Sequence, residues 1–155
     1  MNKNYINIYN NLVKLTRNKE LYKDFKKQDT FSDRILFFLL HFAFFLKIYK
    51  ENHDKEILQE IYDYIFRQVE LSIREIGYGD QSINKKMKDY LNLFYGIIDK
   101  IHDWENLTLE SRALLLENFL DNAKNTDYLA VYFEKYRLNL INNTLNSYIK
   151  GVVKH

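Results

Sequence analysis

Cysteine and proline are absent from these 155 residues, and glycine occurs four times, at Gly77, Gly79, Gly96 and Gly151. Without cysteine there are no disulfides, thiolate metal sites, iron–sulfur clusters or cysteine nucleophiles. Without proline nothing obliges a helix to break. So few turn-formers argue against a many-stranded β fold. An excess of one charge is also missing: 23 basic and 21 acidic side chains leave a formal +2, too small to announce a nucleic-acid binder. The remaining charge asymmetry is modest. Residues 1–30 carry +4, residues 31–126 carry −4 and residues 127–155 carry +2. Basic ends of this kind are read as solvated surface or as weak attraction to anionic lipid or ribosomal RNA.

What the chain does have is apolar and aromatic content. Hydrophobic residues reach 46% and aromatics 16%, with 13 Tyr and 11 Phe, which excludes a disordered chain. The one strong apolar run, Ile35 to Leu46, has twelve residues without a charge where a membrane span needs about twenty. It is expected to be a helix buried in protein. No secretory leader is evident, because Asn and Lys interrupt the first apolar cluster, Ile6 to Leu15. A cytoplasmic protein is expected.

Periodicity predicts six helices in one all-α domain over 1–155. They run over about 5–17, 33–50, 54–76, 80–102, 109–123 and 127–149. A short piece near Leu21–Phe25 follows the first, and Asp29, Thr30 or Ser32 is expected to cap the second. The second helix is apolar almost all round and should form the bundle's centre. Leu58, Ile61, Tyr62, Ile65, Val69, Ile73 and Ile76 make the buried face of the third. Gly77 follows where a left-handed cap would sit, and Asp80 or Ser82 can cap the fourth. The fourth buries Ile83, Met87, Tyr90, Leu91, Phe94, Ile97, Ile98 and Ile101. The fifth buries Ala113, Leu116, Phe119 and Leu120. The sixth buries Leu129, Tyr132, Phe133, Tyr136, Leu140, Leu145 and Ile149.

Few residues promise chemistry. None of His41, His53, His102 and His155 has a metal-ligand spacing, so no metal and no cofactor is expected. His41, in the most apolar stretch, is expected to be a buried neutral imidazole bonded to a neighbouring side chain or carbonyl, with haem ligation the sharper alternative. Asp63, Arg67, Glu70 and Arg74, spaced four, three and four apart, read as an exposed salt-bridge ladder or, less simply, as an acid/base cluster. Gly77-Tyr78-Gly79-Asp80 with Lys85 and Lys86 lacks the ending of a phosphate loop and reads as a helix-to-helix turn. No nucleophile elbow is present, and the protein is read as no enzyme.

One stretch is distinctive. Residues 65–80, with Arg74-Glu75-Ile76-Gly77-Tyr78-Gly79-Asp80 at their core and Lys85-Lys86-Met87-Lys88 and Phe94-Tyr95-Gly96 beyond, resemble the signature of the ubiquinol–cytochrome c chaperone family. Asp29-Thr30 with Leu40-His41, Ile8-Tyr9 to Arg17 and then Tyr22, Glu117-Asn118-Phe119 and Leu129-Ala130-Val131-Tyr132 extend the likeness over about 8–148. The family pattern has aspartates where Gln68 and Glu70 stand and an arginine where Ile97 stands. The resemblance implies a helical, non-enzymatic, bacterial assembly chaperone for the cytochrome bc1 complex, at the cytoplasmic face of the inner membrane. Its client would be newly made cytochrome b. The ribosome, the membrane surface and a second small assembly factor are further partners, and DNA is not. Arg67, Glu70, Arg74, Glu75, Tyr78, Asp80, Lys85 and Lys86 are then candidate partner-binding residues, with His41, Gly77 and Gly79 structural. The competing reading is a helical binding module for ribosome, RNA or anionic membrane.

Overall fold

A computed structural model describes residues 4–23, 25, 31–51, 55–120 and 126–153. Every regular element among them is helical: α1 (Ile6–Thr16), α2 (Phe31–Tyr49), α3 (Lys55–Ile76), α4 (Asp80–Ile101), α5 (Leu109–Glu117), α6 (Asp127–Ile141) and α7 (Leu145–Lys150), with 3-10 turns at Lys19–Tyr22 and Trp104–Asn106. Asp29, Thr30, His53 and His155 fall outside the described residues. No helix among those described is long and apolar enough to cross a membrane.

The apolar run makes α2 the centre, as the pattern predicts. Every residue from Ile35 to Phe45 is buried. An all-round apolar helix needs protein on every side, and α2 packs against α1, α4 and α6. Aromatic side chains fill the joints. Phe133 of α6 stacks on Phe37 and Phe44. Phe42 meets Phe66 of α3 and Phe94 of α4, with ring centres 5.1–6.0 Å apart around the triangle. Each fully buried side chain of this size contributes roughly 1.5–3 kcal/mol relative to exposure.

α3 and α4 form an antiparallel hairpin beside this centre. The Phe42–Phe66 contact fixes the register of α2 against α3, which places Ile76 level with the first turn of α2. Core layers end there, and Ile76 is 54% exposed instead of buried. Ile98 is likewise exposed, on the outer edge of its stripe. The gap between α1 and α3 is bridged by hydroxyls. Tyr5 donates to Glu60, Tyr64 to Asn4, and Tyr9 pairs with Ser72. Burial, then the Glu60 contact, pushes the Tyr5 phenol up to about 12, so it stays a donor.

The expected sixth helix is two. α6 ends at Ile141, and Asn142, Asn143 and Thr144 turn the chain before α7. Thr144 caps α7, accepting from the Ser147 backbone N–H at 3.1 Å. The Tyr49 hydroxyl of α2 donates to the Leu140 and Asn143 carbonyls, which the break releases. α5 is shorter than expected. After Glu117 its last turn tightens into i→i+3 bonds, from Phe119 to Leu116 and from Leu120 to Glu117. The Thr126 hydroxyl then donates to the Ala113 carbonyl and seats the start of α6 on α5.

Candidate functional site

The α3–α4 turn gathers most of the residues singled out by sequence. Gly77 stands at φ +106°, a backbone region that L side chains rarely adopt, and its N–H bonds back to the Arg74 carbonyl at 2.9 Å. Gly79 is the N-cap of α4 in an extended conformation, and its carbonyl accepts from the Ile83 N–H. No side chain caps α4, contrary to the expectation for Asp80 or Ser82. Asp80 is turned instead toward α3, where Arg74 Nη1 donates to its Oδ1 at 2.8 Å. Glu70 lies 3.8 Å from the same guanidinium, and the Lys86 ammonium sits 4.6 Å over the Tyr78 ring. The turn is therefore held by Gly77's backbone, one short ion pair and one cation–π contact.

The rest of the set faces water. Arg67, Arg74, Glu75, Tyr78, Asp80 and Lys85 are exposed, and Glu70 and Lys86 are half-buried. The ladder is reduced to one rung. Asp63 accepts from Gln59, and Arg67 makes no ion pair among the described residues. Leu71, Ile76 and Tyr78 are exposed on the same turn and the end of α3, and Tyr95 of α4 is 56% exposed while its hydroxyl bonds Tyr62 at 2.8 Å. An open, mixed apolar and charged corner results, with neither a cleft nor a shielded acid/base pair. Such a surface suits contact with another macromolecule.

His41 belongs to the core rather than to this turn. It is fully buried, edge-on to Tyr132 and Tyr136 and against Phe133. Nδ1 lies 2.6 Å from the Phe37 carbonyl, which only accepts, so Nδ1 carries the proton. Nε2 lies 2.7 Å from the Tyr132 hydroxyl, which burial holds in its protonated form well above the usual phenol range. The neutral imidazole therefore donates to α2's own backbone and accepts from α6. The first bond fixes the ring on α2, and the second ties the two central helices together.

A second charged cluster has no signature in the sequence. Glu134 of α6 accepts from Arg137 Nε at 2.6 Å, from Arg112 Nη1 of α5 at 3.2 Å and from the Trp104 indole at 3.2 Å. Arg112 also covers the Trp104 ring and donates to its carbonyl. Glu105 joins Lys47 of α2 at 3.1 Å. The hydrogen bond from Arg137, ahead of those from its other partners, holds the Glu134 carboxyl below its ordinary value. The groups come from four separate elements, so no spacing rule could have assembled them. Among the described residues no cluster of His, Asp and Glu is arranged to hold a metal ion.

Comparison with known proteins bears on the corner directly. The family profile described as ubiquinol-cytochrome C chaperone matches residues 23–126, which contain α2 to α5 and the whole two-glycine turn. The chain belongs to the ubiquinol–cytochrome c chaperone family. The match spans two thirds of the sequence and lies inside the 8–148 region marked by residue resemblance. A crystal structure of the Cbp3 homolog from Brucella abortus shares the fold, with a TM-score of 0.72 at 23% identity over 97% of this chain and 87% of that one. That agreement extends the family's helical architecture to α1, α6 and α7, outside the profile match. No curated protein matches the chain significantly.

Proposed function

We propose that this protein is a non-enzymatic assembly chaperone that holds newly made cytochrome b while the cytochrome bc1 complex is put together. The observation that carries the reading is the family match across 23–126, centred on a turn that is open to solvent. A chaperone for an apolar client needs contact area that remains soluble when empty. Exposed tyrosines beside charged groups supply such area with few rotors to immobilise. In this reading Arg67, Glu70, Arg74, Glu75, Tyr78, Asp80, Lys85 and Lys86 belong to the docking corner, while Gly77 and Gly79 shape it and His41 braces the core behind it. The protein works as a single domain at the cytoplasmic face of the inner membrane, with the ribosome and a second small assembly factor as further partners.

The test is genetic. Deleting the gene should lower the assembled bc1 complex, read on native gels, and leave unrelated respiratory complexes near normal. Unchanged bc1 would refute the proposal. The corner is tested by exchanging its ion pair. Arg74→Asp should weaken crosslinking to apocytochrome b, and Arg74→Asp with Asp80→Arg rebuilds the pair with its polarity reversed. If the double variant recovers full crosslinking, the pair only holds the turn and does not face the client.

A further inference from the structure

One glycine and two charges on α4 have no explanation inside the chain. α4 buries Ile83, Phe94, Ile97 and Ile101, and α3 packs along one flank, where Tyr95 meets Tyr62. Asp89, Leu93, Gly96 and Lys100 are spaced four, three and four apart. That spacing puts them in a stripe on the other flank, roughly 110° from the buried face. Gly96 stands well inside the helix, and its φ is not positive, unlike those of Gly77 and Gly151. A Cβ there would meet no atom of the described residues within 4 Å. Glycine is less favourable than alanine in a helix interior, so neither conformation nor crowding within the chain accounts for it. Asp89 and Lys100 are exposed and Leu93 is half-buried. Neither charge has an ion-pair partner among the described residues.

The stripe is complementary to itself when reversed. Laid antiparallel against a second α4, with the twofold axis between residues 94 and 95, Asp89 opposes Lys100 of the second copy and Leu93 opposes its Gly96. Both pairings repeat across the axis. The spacing is that of the seam positions of a coiled coil, and the bare glycine lets two backbones approach and leaves a hole for the leucine. We propose that the protein pairs with a second copy of itself along this stripe. Charge selects the occupant. A partner must bring a cation opposite Asp89, an anion opposite Lys100 and an apolar knob over Gly96, in reversed order, and α4 itself supplies all three. The two-glycine turns then lie at opposite ends of the pair, about 40 Å apart at a rise of about 1.5 Å per residue. So short a seam belongs with small, transient contacts, which bury less than about 1,200 Å². The pairing does not depend on the chaperone reading.

The experiment is sedimentation equilibrium of the full chain. Wild type should pass reversibly from monomer to dimer somewhere between roughly 10 μM and 1 mM, the range a contact of this size allows. Asp89→Lys alone and Lys100→Asp alone each place like charges across the seam, and each should weaken association about tenfold or more. The two single variants should nevertheless pair with one another when mixed, because every cross-seam contact is then opposite in sign. The double variant Asp89→Lys with Lys100→Asp should regain the wild-type dimer. Gly96→Lys should fill the hole and remain monomeric. Circular dichroism on each variant confirms the helical fold. Gly96→Ala, melted at a concentration where the chain is monomeric, should raise the melting temperature by about 1–4 °C. A wild type that stays monomeric at the highest concentration overturns the proposal and leaves the stripe to a different partner. So does a dimer indifferent to either charge reversal, which places the contact on another face. Failure of the two single variants to pair on mixing also overturns it. A lowered melting temperature in Gly96→Ala would show that the chain's own fold demands the glycine, and removes the premise.

Discussion

Two arginine–carboxylate clusters in this protein use the same chemistry in opposite settings. At Glu134 the partners are 12–25% exposed, and three donors converge on one carboxylate from α5, α6 and the Trp104 turn. At the α3–α4 turn Arg74 is 45% exposed and Asp80 84%. Water competes for the second pair and salt screens it, whereas the first is sheltered by an indole and by neighbouring helices. The difference teaches where each cluster's value lies. The sheltered one holds the fold together; the open one is tolerable only as a surface feature, and its worth must be sought in what it touches.

That contrast can be broken from several directions. Trp104→Ala should have the largest effect. Trp104 is fully buried, packs edge-on against Phe44 and supports Arg112, and removing a buried Trp costs about 3–5 kcal/mol. Chemical denaturation read by far-UV circular dichroism measures it. Glu134→Gln should come next, at roughly 2–3 kcal/mol, because it leaves two half-buried guanidiniums short of their counter-charge without burying them fully. This gap should depend on pH in a fixed sense. The Glu134 carboxyl is held low in the folded protein, mainly by Arg137, so its contribution is complete above the ordinary glutamate range, about 4.3. It should fade as acid takes the folded protein through its lowered value. Melting curves of wild type and Glu134→Gln should therefore differ most near neutrality and converge below that range.

The turn gives smaller effects with a sharper internal control. Gly77→Ala should cost about 1–2 kcal/mol from backbone conformation alone, since its φ is +106° and a Cβ there meets no atom within 4 Å. Gly79→Ala, with φ −76°, should be close to neutral. Asp80→Asn should leave the melting temperature within experimental error, yet lower the yield of crosslinked client. A large loss of stability in Asp80→Asn would erase the contrast between the two clusters.

Much of the architecture could be read in the sequence because it rests on local periodicity. Four of the six expected helices appear at nearly the expected boundaries, since one apolar stripe per helix is enough to define them. The buried imidazole of His41 followed from its apolar neighbours, and the positive φ of Gly77 from its place after an amphipathic helix. What escaped was tertiary. The break at Asn142–Thr144 is braced by a hydroxyl from α2, and Tyr148 is buried only because α7 turns back. Ile76 keeps the helical period of its face but meets no core layer at that level. The two-glycine turn could be located because its residues are contiguous. The Glu134 cluster could not, because it draws on elements that only the fold brings together.

The packing of α7 against α1 sets a timetable for synthesis. Asn7 donates to the Ile149 carbonyl, 142 positions later, and Gly151 in its left-handed turn closes over the same asparagine. α1 thus has no complete seat until α7 has been made. Until then the side of α1 that carries Asn7 stays uncovered. A nascent chain should therefore not complete its fold before α7 has left the ribosome.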